Sequence, residues 1–401
     1  MHAGAVVYTE KLMSLTQPSP RVEAIDLLRG LVMVVMALDH ARDFVMPLAD
    51  PVNLATTYPA LFFTRFITHY CAPTFYFLAG VGAFYAARRR TPNELSWFLL
   101  TRGMWLVFLE LVVVRFGWYF SWNNTNFEGL TIWALGWSMV ALAGFVRMPG
   151  WLMVSISAAM VLGHNAFDGI KPEAFGAAAW LWKVLHAPEP ISIGTVILQT
   201  PYTLIPWMGV MALGFAFGQD GIKKALKLGP VLILAFVVLR FSNLYGDPHP
   251  WMVQASLSLT VMSFLSCEKY PPSLLYILMT LGPSITLLGL VEWWRKGGTR
   301  QLPAFTKPIV LFGRVPMFYY LLHLYLAHLL GICVALYRFG DASSFFEMPA
   351  ALMGNPKIPS DAPLWVVYAV WVVVLVALYP ACKWFAGYKA RNSGKEWLGY
   401  V

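Results

Sequence analysis

Charge is what this sequence has least of. Asp, Glu, Lys and Arg make up 12% of its 401 residues, where a soluble domain carries about a quarter, so an ordinary soluble globular protein is excluded and a charge-rich disordered or coiled-coil chain with it. Cysteine is equally sparse. Cys71, Cys267, Cys333 and Cys382 fall in or beside four different apolar segments with no CxxC and no ligand spacing, which excludes a disulfide scaffold or zinc centre and predicts free thiols. No Walker loop, zinc signature, GxSxG or haem motif occurs, and these absences argue against ATP-driven pumping, metalloprotease and serine hydrolase chemistry. The stretch Met1 to Val22 has no continuous apolar h-region and contains Gln17-Pro18-Ser19-Pro20, so no cleavable signal peptide is expected. No fixed-period repeat or low-complexity tract is visible.

Apolar residues are abundant. At 58% hydrophobic and a mean hydropathy of +0.61, with long apolar runs recurring throughout, the composition selects an all-α, polytopic transmembrane helical bundle. Segments long enough to span predict ten crossings: Ala24 to Phe44, Leu61 to Ala87, Trp97 to Phe116, Leu130 to Val146, Trp151 to Ala166, Pro201 to Phe217, Gly229 to Leu244, Leu274 to Trp293, Ile309 to Leu336 and Leu364 to Phe385. The formal net charge of +9 comes from basic residues spread between apolar segments, a mark of membrane topology and not of nucleic-acid binding. Eighteen Lys and Arg residues fall in the connections on one side, Arg88 to Arg90 and Lys223 to Lys227 among them, and four, Lys171, Lys183, Lys269 and Lys357, on the other. That asymmetry predicts cytoplasmic N and C termini. The expected organisation is a cytoplasmic tail 1–23, one transmembrane domain 24–388 and a cytoplasmic tail 389–401. Residues 175–187 and 251–268 are too polar or too short for spans, and the first reads as a helix lying in the outer interface.

Ionisable groups at membrane depth point to function. The first span reads Ala24-Ile-Asp26-Leu-Leu-Arg29-Gly30, an apolar run, then Asp39-His40-Ala-Arg42-Asp43. The twelve residues from Asp26 to Leu38 rise about 18 Å, less than the hydrocarbon thickness of about 30 Å, so both charged ends need a polar environment such as an aqueous cavity. Asp39 and Asp43 are placed on a helix so that either carboxylate could orient His40 as a general base; a solvated ion-paired helix end is the competing reading. Arg65 and His69 lie one turn apart in the second span, with His69 predicted at the depth of His40 and beside a break at Pro73. In the ninth span Arg314 lies near the inner end and His323 near mid-membrane, where substrate contact and helix-to-helix bonding are equally served. Glu110 and Arg115 suit interhelical pairing. Trp118 to Trp122 read as an interfacial belt or a sugar platform, and Arg88 to Arg90 as a membrane anchor or a phosphate clamp.

Four strings carry a family resemblance: Ile25-Asp-Leu-Leu-Arg29-Gly30 through Asp39-His40-Ala-Arg42-Asp43-Phe44, Pro59 to Gly80 with Arg65 and His69, Ile205 to Gly214, and Phe312-Gly-Arg314-Val-Pro316 through His323. The sequence resembles the heparan-alpha-glucosaminide N-acetyltransferase-like membrane proteins, in particular their bacterial branch. The resemblance implies a multi-pass acyltransferase of the cell membrane that takes acetyl from acetyl-CoA on the cytoplasmic side and delivers it to a carbohydrate on the far side. It implies no permanently bound cofactor or metal, acetyl-CoA as cosubstrate, the bilayer and a carbohydrate acceptor as partners, and room for a homodimer. The lysosomal enzyme has asparagine at the position of His40 and its catalytic histidine in the following loop. Here the loop 45–63 has no histidine, so the duty falls to His40 or His69. The expected catalytic residues are His40, Asp39, Asp43 and His69, with Arg29, Arg65, Arg314 and His323 as substrate contacts: Arg29 placing the cosubstrate and Arg65 or His69 stabilising the oxyanion. A secondary transporter or proton-coupled membrane protein using the same His/Asp cluster is the alternative.

Overall fold

The computed structural model describes residues 22–122, 125–220, 222–346, 362–392 and 394–399. The expected tail 1–23 and Lys357 therefore lie wholly or nearly so outside the described residues, as does the end of the tail 389–401. All ten apolar segments are helical. In chain order the helices are α1 (Glu23–Val45), α2 (Pro59–Thr68), α3 (Cys71–Ala87), α4 (Pro92–Tyr119), α5 (Thr131–Phe145), α6 (Gly150–Gly163), α7 (Ala179–Leu185), α8 (Leu204–Asp220), α9 (Ala225–Ser242), α10 (Leu257–Leu265), α11 (Leu274–Trp294), α12 (Lys307–Arg314), α13 (Pro316–Phe339) and α14 (Leu364–Arg391). Six are long and apolar enough to cross a membrane: α4, α6 with the turn that follows it, α9, α11, α13 and α14. Helices α5 and α8 are apolar but shorter. On α9, Val231, Leu234, Val238 and Phe241 form an exposed stripe at helical spacing while Phe236 and Arg240 are buried, the pattern of a helix with one face to lipid and one to protein. The protein is a multi-pass membrane protein.

Two expected spans are broken, each for a local reason. In 61–87 the break falls at His69 and Tyr70: Pro73 has no N–H to offer the carbonyl of His69 four residues earlier, and the Tyr276 hydroxyl donates to that carbonyl instead, at 2.8 Å. In 309–336 the break falls at Val315, which precedes Pro316 and is pushed to φ −129°, ψ 50°. The all-α expectation also needs correcting. A three-stranded sheet of β1 (Asn126–Glu128), β2 (Ile191–Ile193) and β3 (Val196–Gln199) has the order β1-β3-β2, with β1 parallel and β2 antiparallel to β3. Strands of three or four residues with little alternation leave too weak a pattern to read in advance. Residues 172–178 form a 3-10 turn before the short α7, which buries none of its side chains, and 251–268 contains only the nine-residue α10, far short of the roughly 20 residues a span needs.

Helix α4 begins with a capping box, Thr91 and Glu94 each bonding the other's backbone, with Pro92 in the first turn. It carries a π-helical segment at Glu110–Val114, and there the Glu110 carboxylate accepts from the backbone N–H of Ile132 at 2.8 Å and of Trp133 at 3.1 Å, capping α5 from outside. Arg115 also reaches another element, its Nε donating to the Asn126 carbonyl at 3.2 Å and its guanidinium lying over Phe127. Helix α1 is the axle of the fold: α2, α3, α11, α12, α13 and α14 all pack on it. Its most polar sequence is therefore inside protein, and most of it is buried. The crossing with α12 is close because Gly30 and Gly313 face the opposite backbone; a side chain at either would overlap the carbonyl of Ile309 or Asp26.

Candidate active site

At the far end of α1 two carboxylates and two guanidiniums form one network. Asp39 pairs through one oxygen with Arg65 of α2 and through the other with Arg42 at 3.2 Å, and Arg42 reaches Asp43 at 2.5 Å. These helices place them there because Asp39, Arg42 and Asp43 sit within one turn of α1, and Arg65 is in the last turn of α2 packed against it. The charges neutralise one another in pairs, which is what allows Arg42 to be buried.

The sequence reading expected a carboxylate to orient His40. The structure gives that place to another histidine. Nδ1 of His40 lies 2.8 Å from Nε2 of His323 on α13, and the two rings are stacked at 4.9 Å, 10° from parallel. His323 is wholly buried, and its Nδ1 lies 3.0 Å from the Tyr319 carbonyl oxygen, one turn earlier. A carbonyl oxygen only accepts, so Nδ1 of His323 carries a proton. In the neutral pair Nε2 of His323 then holds the lone pair and accepts from Nδ1–H of His40, which leaves Nε2 of His40 as the unprotonated ring nitrogen. A backbone carbonyl thus fixes the tautomers of two side chains in sequence. Trp118 and Tyr320 lie edge-on to His40, at 5.0 and 6.3 Å between ring centroids.

His69 does not join this pair. It is buried at the α2–α3 break with its ring edge-on to Tyr276 and its Nδ1 without a hydrogen-bond partner, and among the described residues it makes no ring contact or hydrogen bond with His40. Asp43 is bonded to Arg42 and not to His40. The four expected substrate contacts separate into two places: Arg65 and His323 with the cluster just described, and Arg29 and Arg314 near the opposite end of α1. There Arg29 donates to Asp26 at 3.4 Å and to the Gly313 carbonyl at 3.3 Å, and Arg314 pairs with Glu23 at 3.6 Å and Asp26 at 3.8 Å.

Arg29 and Arg314 stand at a cavity of about 380 Å³. Arg102 of α4 and Lys389 of α14 line it too, so four cations from four helices share one space. Its remaining wall is apolar, with Met33, Leu78, Leu106 and Leu135 from four helices, and it extends to Thr131, Ile132, Met317 and Tyr320. Arg29 and His40 are eleven residues apart on α1, about 16 Å of helix. Cavity and histidine pair are thus stacked along one helix, with Tyr320 common to both: it lines the cavity and its ring is 5.6 Å from that of His323.

Sequence reasoning passed over Tyr320, Arg102 and Lys389. The first sat in an aromatic-rich helix with nothing local to distinguish it, and the other two counted only among the basic residues on one side of the expected topology. Arg88 to Arg90, weighed as a phosphate clamp, do not line the cavity. Trp118, weighed as an interfacial belt or sugar platform, packs on His40 and Phe44. The remaining in-span ionisable groups are structural: buried Arg240 donates to the carbonyls of Phe264, His249, Ser263 and Ser266, and both ring nitrogens of His328 lie at carbonyls, of Gly117 and Phe345. The four cysteines are free, and among the described residues no group of three or more His, Cys, Asp or Glu side chains could hold a metal ion.

Residues 21–237 match the family of heparan-alpha-glucosaminide N-acetyltransferase catalytic domains. That range holds Arg29, Asp39, His40, Asp43, Arg65, His69 and Arg102, while Arg314, Tyr320, His323 and Lys389 come from beyond it. No curated protein matches the chain.

Proposed function

Because that match covers more than half of its length, the chain belongs to the heparan-alpha-glucosaminide N-acetyltransferase family, and from that premise we propose that it moves acetyl from acetyl-CoA, bound in the inner cavity, to an amine or hydroxyl of a carbohydrate presented at the outer end of α1. The family membership makes acetyl transfer the general activity. The observation that carries the specific reading is the contact of His40 Nδ1 with His323, whose own Nδ1 lies at the Tyr319 carbonyl; it supports Nε2 of His40 as the base.

The cavity suits the proposed donor. Arg29, Arg102, Arg314 and Lys389 offer positive charge for phosphate groups, and the apolar wall accommodates a pantetheine arm directed toward Tyr320. The basic end is assigned to the cytoplasm by the loop-charge asymmetry of the ten-span topology, with both termini inside. His40 then stands past the deep end of the cavity, toward the outer face. In the transfer, Nε2 of His40 removes a proton from the acceptor as it attacks the thioester carbonyl carbon. The tetrahedral intermediate collapses with cleavage of the C–S bond, and the proton on His40 passes to the departing thiolate. His323 supports the imidazolium stage, because a cationic His40 strengthens the hydrogen bond that its Nδ1–H donates. Asp39, Asp43, Arg42 and Arg65 balance charge at the acceptor side and keep the end of α1 rigid.

The test is thioester consumption by the detergent-purified protein with amino-sugar and neutral-sugar acceptors, for wild type and His40→Gln. Acceptor-dependent release of free CoA thiol by wild type alone supports the reading. Micromolar acetyl-CoA binding with no acyl transfer to any sugar, or no binding by folded protein, removes it and returns the His/Asp cluster to the transport alternative.

A further inference from the structure

Resting on the acetyltransferase reading, we propose that the Tyr320 hydroxyl is a catalytic hydrogen-bond donor that holds the thioester carbonyl oxygen and the oxyanion formed from it. Tyr320 is the aromatic side chain that both lines the cavity and touches the two histidines: its ring is edge-on to His40 at 6.3 Å and to His323 at 5.6 Å. It is 6% exposed, yet among the described residues its hydroxyl has no hydrogen-bond partner. The cavity wall includes Met36, Ile132 and Met317 together with the hydroxyl of Thr131. A cavity-lining phenol with no protein partner for its O–H is free to donate to an acceptor oxygen that a ligand brings to that point.

The groups the sequence offered for this role are otherwise placed. Arg65 is bonded to Asp39, and His69 packs on Tyr276 without contact to His40. Trp118 touches His40 but does not line the cavity. From the position of Tyr320 one group can meet a carbonyl delivered through the cavity while an acceptor is deprotonated by His40. In the addition step the acceptor's N–C or O–C bond forms, the carbonyl π pair moves onto oxygen, and the acceptor proton goes to Nε2 of His40. Tyr320 keeps its own proton and donates a hydrogen bond that strengthens as negative charge develops on the oxygen. When the C–S bond breaks, the carbonyl re-forms and the proton on His40 goes to the thiolate.

The experiment uses full-length protein in detergent with acetyl-CoA labelled with carbon-13 at the thioester carbonyl, read by infrared difference spectroscopy together with steady-state turnover. Wild type is expected to move the carbonyl stretch to lower frequency on binding. Tyr320→Phe is expected to lose that movement and about 100-fold in kcat, with the dissociation constant for acetyl-CoA within about threefold because phosphate and arm contacts are intact. Incorporation of a fluorinated tyrosine at 320, a stronger donor of the same shape, is expected to move the stretch further than wild type does, which a role in packing alone would not produce. The same movement of the stretch and the same kcat in Tyr320→Phe as in wild type overturn the assignment while leaving the acetyltransferase reading in place. Failure of wild type to bind or consume acetyl-CoA overturns both.

Discussion

His40 and His323 lie 283 positions apart in the chain and meet nitrogen to nitrogen at 2.8 Å. The contact has a direction. The carbonyl of Tyr319 orders His323, and His323 orders His40, so the general base proposed above is oriented without a carboxylate and without net charge in the neutral pair. A histidine–carboxylate pair would do the same work with a buried anion to balance, whereas here the two nearby carboxylates are already matched to arginines.

Replacing His323 by Gln is the first consequence to check. The variant keeps a hydrogen-bonding side chain but cannot relay the tautomer, so kcat is expected to fall by about 100-fold or more while acetyl-CoA affinity stays within a fewfold. His40→Ala should abolish turnover above background with the same affinity. Equal loss of affinity and kcat in His323→Gln would mean that the residue supports the cavity and not the base.

The ion pair of Asp39 and Arg65 gives a stability prediction. Both side chains are largely buried, 14% and 11% exposed; removing Asp39 strands Arg65, which costs about 3–5 kcal/mol when a buried pair is broken, and removing Arg65 leaves Asp39 with Arg42 alone. Asp39→Asn and Arg65→Gln should each lower the thermal midpoint of the detergent-solubilised protein clearly, and the double variant should recover part of the loss. Strict additivity of the two losses would show that the pair is not coupled.

Arg102, Arg314 and Lys389 make a prediction about the donor end. Single Ala substitutions are expected to raise KM for acetyl-CoA about tenfold with little change in kcat, since uniform binding is removed and transition-state contacts are not. Dephospho-acetyl-CoA should discriminate less between wild type and the most affected variant. A variant series that changes kcat alone would place the phosphates elsewhere.

The α4–α5 crossing is tight enough to predict an outcome. A Cβ on Gly103 would come within 2.6 Å of the Gly136 carbonyl oxygen, and one on Gly136 equally close to that of Gly103. Gly103→Val and Gly136→Val are each expected to lower folded yield and thermal midpoint, Gly144→Val to leave both near wild type because nothing lies within 4 Å of a Cβ there. Equal behaviour of all three by size-exclusion and thermal melting would contradict the packing.

The helical character of the apolar segments was legible, because an apolar run is a local property of the chain and helix is the form that satisfies its backbone in a membrane; six of the helices are long enough to cross one. Asp39, His40, Arg42 and Asp43 were equally legible as a cluster, since one helical turn brings them together whatever else the chain does. What they bond to was not. The α1 sequence allows a carboxylate to orient His40, but Arg65 from α2 and Arg42 claim Asp39, and His323 from α13 claims the ring. The two helix breaks belong half to each level: Pro73 and Pro316 mark them in the sequence, while the Tyr276 hydroxyl that takes up the His69 carbonyl comes from α11. The same division holds for the cavity. Arg29 and Arg314 announce themselves as charges in apolar surroundings, whereas Arg102, Lys389 and Tyr320 gain their meaning only where α4, α14 and α13 converge. Sequence alone determined which segments are helical and where charge interrupts them, because both depend on neighbours along the chain. Tertiary structure alone decided which charges pair, which nitrogen of His40 is engaged by His323 and which hydroxyl meets the cavity, because those depend on helices that share no sequence neighbourhood and approach only through packing.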